Sequence, residues 1–196
     1  MPRLFTALKL PGPLPLRLSL LRGGLPGARW GEPENYHVTL RFLGDVDDRV
    51  AEEASALLDS SHVAPFALRL IGVDAFGGSR PRSIYARVDG GDALFELQEA
   101  QERLMRRLGL PPETRKYTPH VTLARLRGVS AEAVASWLSA NAAAASGEVF
   151  EPKGFALFSS RASTGGGPYI CEQFYPFSGC DDGGEADDEA DWQGPR

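Results

Sequence analysis

The chain has three histidines, and two of them open the same tetrapeptide: His37-Val38-Thr39-Leu40 and, 83 residues later, His120-Val121-Thr122-Leu123. On equal residue frequencies a given His meets one specified tripeptide roughly once in 8,000 trials, so chance repetition is a weak account. Both copies lie in stretches that alternate apolar and polar residues, the pattern of a half-buried strand. Residues i and i+2 of a strand share a face, so each copy sets an imidazole beside a hydroxyl while Val and Leu turn toward a core. Two such strands brought together surround a ligand with two rings and two hydroxyls. An imidazole titrates near pH 6.5, so one ring can be neutral while the other is protonated. General base and general acid then act on the same molecule, each worth about 10²–10⁴ in rate. Thr hydroxyls donate to an anionic oxygen and stabilise the charge that grows on it. The chemistry described is the breaking of a bond in an anion with one proton taken and one delivered, and phosphodiester hydrolysis fits it. His37 and His120 are the candidate catalytic residues, with Thr39 and Thr122 the candidate phosphate-binding ones.

The elements that must position them are readable in outline. Strands are expected over 3–10, 36–43, 66–76, 83–88, 120–126, 148–158 and 168–177. Helices are expected over 14–21, 47–58, 92–108 and 131–143. The strongest helix signal is the stripe Leu94, Leu97, Gln101, Leu104, Leu108 with Gly109 as its stop. Strands and helices mix without the regular alternation of a doubly wound parallel sheet, which predicts an α+β fold with antiparallel sheets. The order strand, helix, His-bearing strand recurs in the two halves.

At 196 residues, with 42% apolar and 24% charged residues, the chain suits one domain or two small lobes with an ordinary core. Disorder throughout, a collagen-like fibre and a membrane channel do not fit. No apolar run reaches the roughly 20 residues of a membrane helix, and Pro11, Gly12, Pro13 and Pro15 interrupt any signal-peptide core. The net charge of −5 is concentrated: residues 181–196 hold seven acids and one base, which leaves +1 for residues 1–180. This predicts a near-neutral body and an acidic, flexible, solvated tail. Cys171 and Cys180 match no zinc or disulfide framework, so a reduced, cytoplasmic protein is expected.

The two tetrapeptides, with Arg3-Leu4-Phe5, Arg29-Trp30, Pro33-Glu34-Asn35, Phe42-Leu43-Gly44 and Pro119 to Arg125, resemble the 2H phosphoesterase superfamily. More closely, the chain resembles the bacterial and archaeal RNA 2′,3′-cyclic phosphodiesterases, also called 2′-5′ RNA ligases. The resemblance covers about residues 1–178, and it includes Gly166-Gly167-Pro168-Tyr169. It implies a bilobal fold, two antiparallel sheets with pseudo-two-fold symmetry around a central cleft, and helices on the outer faces. It also implies opening of an RNA 2′,3′-cyclic phosphate to a 2′-phosphate, with no metal or other cofactor, and joining of tRNA halves through a 2′-5′ linkage. The partner implied is RNA with a 2′,3′-cyclic end; monomer is the default for the oligomeric state, which stays open, and no membrane partner is expected. His37 and His120 become the acid–base pair, Thr39 and Thr122 the phosphate-binding residues, and Arg125, at the family's basic position after the second motif, their assistant. Which His is base and which acid stays open.

Strict alternation puts Arg125 on the face opposite His120, so it reaches the cleft only if the strand bulges or the side chain curls round the edge. Arg41 is in phase with His37 and Thr39 instead. Arg80 and Arg82 are loop residues that could grip RNA, His62 reads as surface, Trp30 as a core anchor, Tyr36 as a packed residue and Gly165–Gly167 as a plain loop. Two alternatives are a non-catalytic RNA-end or nucleotide-binding module on the same scaffold and a metal hydrolase; the second lacks a His-Glu-x-x-His spacing. For the tail, the expected outcome is that deleting residues 181–196 leaves turnover of a nucleoside 2′,3′-cyclic phosphate nearly unchanged; a large loss in a steady-state assay would give that segment an active role.

Overall fold

The structure, a computed structural model, describes residues 3–160 and 169–180. The expectations for the acidic tail and for Gly165–Gly167 lie outside these residues. Nine strands are described: β1 (Arg3–Lys9), β2 (Ala28–Trp30), β3 (His37–Asp45), β4 (Leu68–Phe76), β5 (Ser83–Asp89), β6 (His120–Leu126), β7 (Ser146–Phe150), β8 (Gly154–Ser160) and β9 (Tyr169–Pro176). Four α-helices accompany them: α1 (Leu14–Ser19), α2 (Asp48–Asp59), α3 (Gly91–Arg107) and α4 (Ala131–Asn141). Every recorded strand pairing is antiparallel, in the order β7-β4-β5-β6-β3-β1-β8-β9 with β2 added to β6. The α+β class with antiparallel pairing is therefore present. Between β3 and β6 one residue pair alone bridges, Val38 to Val121. The strands thus fall into two groups, β9-β8-β1-β3 and β6-β5-β4-β7, that meet at that pair.

Local chemistry accounts for the helix ends. Asp47 caps α2 by accepting from the Val50 N–H, and Ser130 caps α4 by accepting from the Ala133 N–H. The stretch 148–158, expected as one strand, is two. Pro152 lacks an N–H for a ladder, and the chain turns there, so that β7 pairs with β4 at one end of the sheet while β8 pairs with β1 near the other. Gly154 starts β8 because a Cβ there would stand 2.3 Å from the Tyr175 carbonyl oxygen on β9. The short strand β2 has no periodic signal of its own; it is held by β6.

The main core lies between the sheet and the helices, with Leu8, Val38, Leu58, Leu94, Met105 and Val121 fully buried. Trp30 belongs to it, 5.5 Å from the ring of Trp137 on α4, and Tyr36 is buried, as expected. His62 is exposed. A smaller cluster of Phe5, Ala7, Ala156 and Phe158 covers the other face of the β1–β8 pair. No helix among the described residues is long and apolar enough to cross a membrane.

Arg41 corrects the phase read from sequence. In the β1–β3 ladder Thr6 pairs with Arg41 and Ala7 with Thr39, so Leu40 is an extra residue, a bulge. Past the bulge Arg41 turns to the helix side, where it is only 6% exposed and ion-paired with Glu102 of α3. It also donates to the carbonyls of Phe42 and Pro111. Arg41→Ala is expected to cost roughly 3 kcal/mol in urea unfolding, because it strands a partly buried carboxylate, while leaving the motif face unaltered; an unfolding midpoint equal to wild type would contradict this role.

Candidate active site

The Val38–Val121 pair decides how the two tetrapeptides meet. Val38 and Val121 are fully buried toward the helices, so His37, Thr39, His120 and Thr122 all emerge on the opposite face. The antiparallel sense sets His37 toward Thr122 and Thr39 toward His120. Charge on His120 disfavours charge on His37.

Each ring is oriented by its own backbone two residues upstream. Nδ1 of His37 lies 2.7 Å from the Asn35 carbonyl oxygen, and Nδ1 of His120 lies 2.6 Å from that of Thr118. A carbonyl only accepts, so Nδ1 is the protonated donor in both, and a neutral ring presents a bare Nε2. The short 3₁₀ turn Pro33–Asn35 ahead of β3 holds the first of these carbonyls in place, and the Asn35 side chain accepts from the Tyr169 N–H. No partner for the Thr39 or Thr122 hydroxyl is found among the described residues.

The surroundings of the two rings differ. His37 is walled by aromatic rings: Phe5 at 5.0 Å, Tyr169 at 5.2 Å and Phe158 at 6.0 Å. This burial pushes its pKa from 6.5 down to about 4, with the Asn35 carbonyl pulling the other way. His120 touches Phe76 at 4.9 Å and Tyr85 at 5.2 Å, edge to face. Its pKa is also lowered by burial, against the Thr118 carbonyl. Tyr85 is held above its ordinary value by burial and by the Asp74 carboxylate. The sequence reading placed none of these flanking residues against a His ring, although Phe5 and Tyr169 stand in motifs that carry the resemblance.

Arg125 stands on the His120 face. In the β5–β6 ladder Arg87 pairs with His120, Tyr85 with Thr122 and Ser83 with Arg125, so Leu123 is a bulged extra residue. The bulge supplies the phase change that strict alternation lacked. The two motifs bulge at the same position, Leu40 and Leu123, and the residue five places after each His therefore returns to the shared face. In β6 that residue is exposed Arg125; in β3 it is Phe42, 48% exposed and 5.7 Å from Phe5. Arg80 and Arg82 are exposed in the turn before β5. A groove of about 540 Å³ between α4 and the loop after α1 includes neither His. Among the described residues no group of three or more His, Cys, Asp or Glu side chains is placed to hold a metal.

With this geometry in hand, comparison with known proteins is specific. The model of the LigT-like phosphoesterase family matches residues 8–85 and again 88–169, one His-Val-Thr-Leu copy in each match. The chain belongs to that family. Among its relatives, the RNA 2′,3′-cyclic phosphodiesterase of Aeropyrum pernix is 39% identical over 115 residues, which is 58% of this chain and 65% of that protein, just under two thirds. The protein of the same name from Aquifex aeolicus is 32% identical over 153 residues, 75% of this chain and 81% of the relative. Among solved structures, E. coli LigT complexed with 3′-AMP superposes with a TM-score of 0.73 at 24% identity, over 91% of this chain and 99% of that one. A Thermus thermophilus protein gives 0.73 at 23% identity, over 89% and 97%. At these identities the LigT-like structures attest the fold.

The buried neutral His37 has a consequence for stability. An unfolded chain protonates it near 6.5 and the folded chain only near 4, so between these values the unfolded state binds more protons and stability falls as pH falls. Urea unfolding at pH 4.5 and 7 should show a smaller acid loss in His37→Gln than in wild type. Equal losses in the two proteins would mean the ring is not desolvated.

Proposed function

We propose that the protein is a metal-independent RNA 2′,3′-cyclic phosphodiesterase that opens the terminal ring to a 2′-phosphate. What carries this reading is the single face bearing His37, Thr39, His120 and Thr122, with both Nδ1–H groups committed to backbone carbonyls and neither Nε2 hydrogen-bonded among the described residues. The name borne by the Aeropyrum and Aquifex relatives supports the same substrate.

In this mechanism Nε2 of His37, the ring more strongly held neutral, takes a proton from water as its oxygen bonds to phosphorus. The P–O3′ bond breaks, and the protonated Nε2 of His120 delivers its proton to O3′. The 2′-phosphate leaves, and the rings exchange protons with solvent to reset. Thr39 and Thr122 donate to the non-bridging oxygens, and Arg125, next along the same face, adds positive charge to the phosphate-binding row. A 5′-hydroxyl in the place of water would use the same four groups to make a 2′-5′ linkage. Residues 1–178 form the acting domain in this reading and 179–196 an appended tail. The two free cysteines suit a reducing cytoplasm.

The expected kcat/KM profile rises through His37 near pH 4 and falls where His120 loses its proton, below 6.5. A profile flat from about pH 5 to 8, where imidazoles titrate, would refute paired acid–base work. His37→Ala and His120→Ala should each lose about 10²–10⁴ in kcat with product binding retained, and turnover should persist in excess EDTA. Binding without turnover in the wild type would favour the non-catalytic RNA-end module instead.

A further inference from the structure

We propose that Arg29 and Arg125 together seat the phosphodiester one nucleotide 5′ of the cyclic end, which makes Arg29 a determinant of preference for RNA over a lone nucleotide; this rests on the function proposed above. β2 runs antiparallel to β6 with Arg29 directly opposite Arg125, between the pairs Ala28–Leu126 and Trp30–Ala124. Trp30 is anchored in the core against Trp137, so Arg29 is turned the other way, onto the motif face with Arg125. Side chains at directly opposed positions have Cβ atoms about 4.5–5.5 Å apart, and like charges there are unfavourable.

Both guanidinium groups are exposed, and neither has an ion pair or hydrogen bond among the described residues. Other arginines of the chain do find carboxylates: Arg17 pairs with Glu148, Arg22 with Glu32 and Arg41 with Glu102. Two exposed cations at opposed positions of one face offer an anion two forks to lie between. Guanidinium donors match the two free oxygens of a phosphodiester in a bidentate manner. Ser83, opposite Arg125 on its other side, adds a hydroxyl to the same row. The seat lies beyond Thr122 on the same strand, about 7 Å further for two strand steps across the bulge. A second phosphate, adjoining the one between the histidines, falls there.

The test compares uridine 2′,3′-cyclic phosphate with a tetranucleotide of the same end, using wild type, Arg29→Gln and Arg29→Lys. Arg29→Gln should lower kcat/KM for the tetranucleotide about tenfold, the worth of one charge-assisted contact. It should flatten the slope of log kcat/KM against log salt by about 0.7. Turnover of the lone nucleotide should stay at the wild-type rate, which also shows that the variant folds. Arg29→Lys should recover the salt slope more fully than the rate. An equal fall on both substrates, or no fall on either, would overturn the seat. If wild type cleaves neither substrate, the hydrolase reading fails. The seat is then judged by equilibrium binding of a linear tetranucleotide, whose Kd rises about tenfold in Arg29→Gln if the seat exists and stays unchanged if it does not.

Discussion

The Val38–Val121 pair is the contact on which the rest of the molecule depends. It is the single rung joining β3 to β6, and it fixes three things at once. It buries the two valines toward the helices, it turns both imidazoles and both hydroxyls to the other face, and through the antiparallel sense it sets each His toward the other motif's Thr. A slip of one residue in either strand would send that strand's His and Thr into the hydrocarbon core, because side-chain direction alternates with period two. The fully buried Val38, Val121 and Leu123, with the nearly buried Leu40, resist such a slip.

The two bulges extend that logic along the strands. Leu40 and Leu123 each insert one residue, so two successive side chains go to the helix side and the next returns to the motif face. In β6 the two buried residues are Leu123 and Ala124, and the returning one is Arg125. In β3 they are Leu40 and Arg41, and the returning one is Phe42. Equivalent positions thereby put a cation on the motif face of β6 and an aromatic on that of β3. The difference runs through the whole face: phenyl rings and Tyr169 desolvate His37, whereas His120 neighbours Phe76 and a Tyr85 that lies against the Asp74 carboxylate. A repeated backbone thus carries a face whose two halves differ chemically.

Much of this was legible before any coordinates. The repeated His-Val-Thr-Leu, the alternation around it and the Leu stripe of α3 pointed to the candidate site, its strands and the main helix, because period-two and period-3.6 patterns report burial directly. The failures have physical causes. The stretch 148–158 reads as one apolar run, and Pro152 alone hints that it serves two distant places in the sheet. β2 is three residues long and owes its conformation to its partner rather than to its own residues. Arg41 deceives alternation because its charge hides a buried ion pair, while Leu123-Ala124 between Thr122 and Arg125 was a visible sign of a bulge.

The sequence by itself determined which groups could do chemistry, an imidazole and a hydroxyl two residues apart on each of two strands, since that spacing follows from the pleat alone. Only the tertiary structure decided that the two strands meet at one rung, that Arg125 rather than Arg41 shares the face, and that Arg29 stands against Arg125. Register, bulges and cross-strand neighbours arise from contacts between residues far apart in the chain, and no local pattern encodes which strand lies beside which.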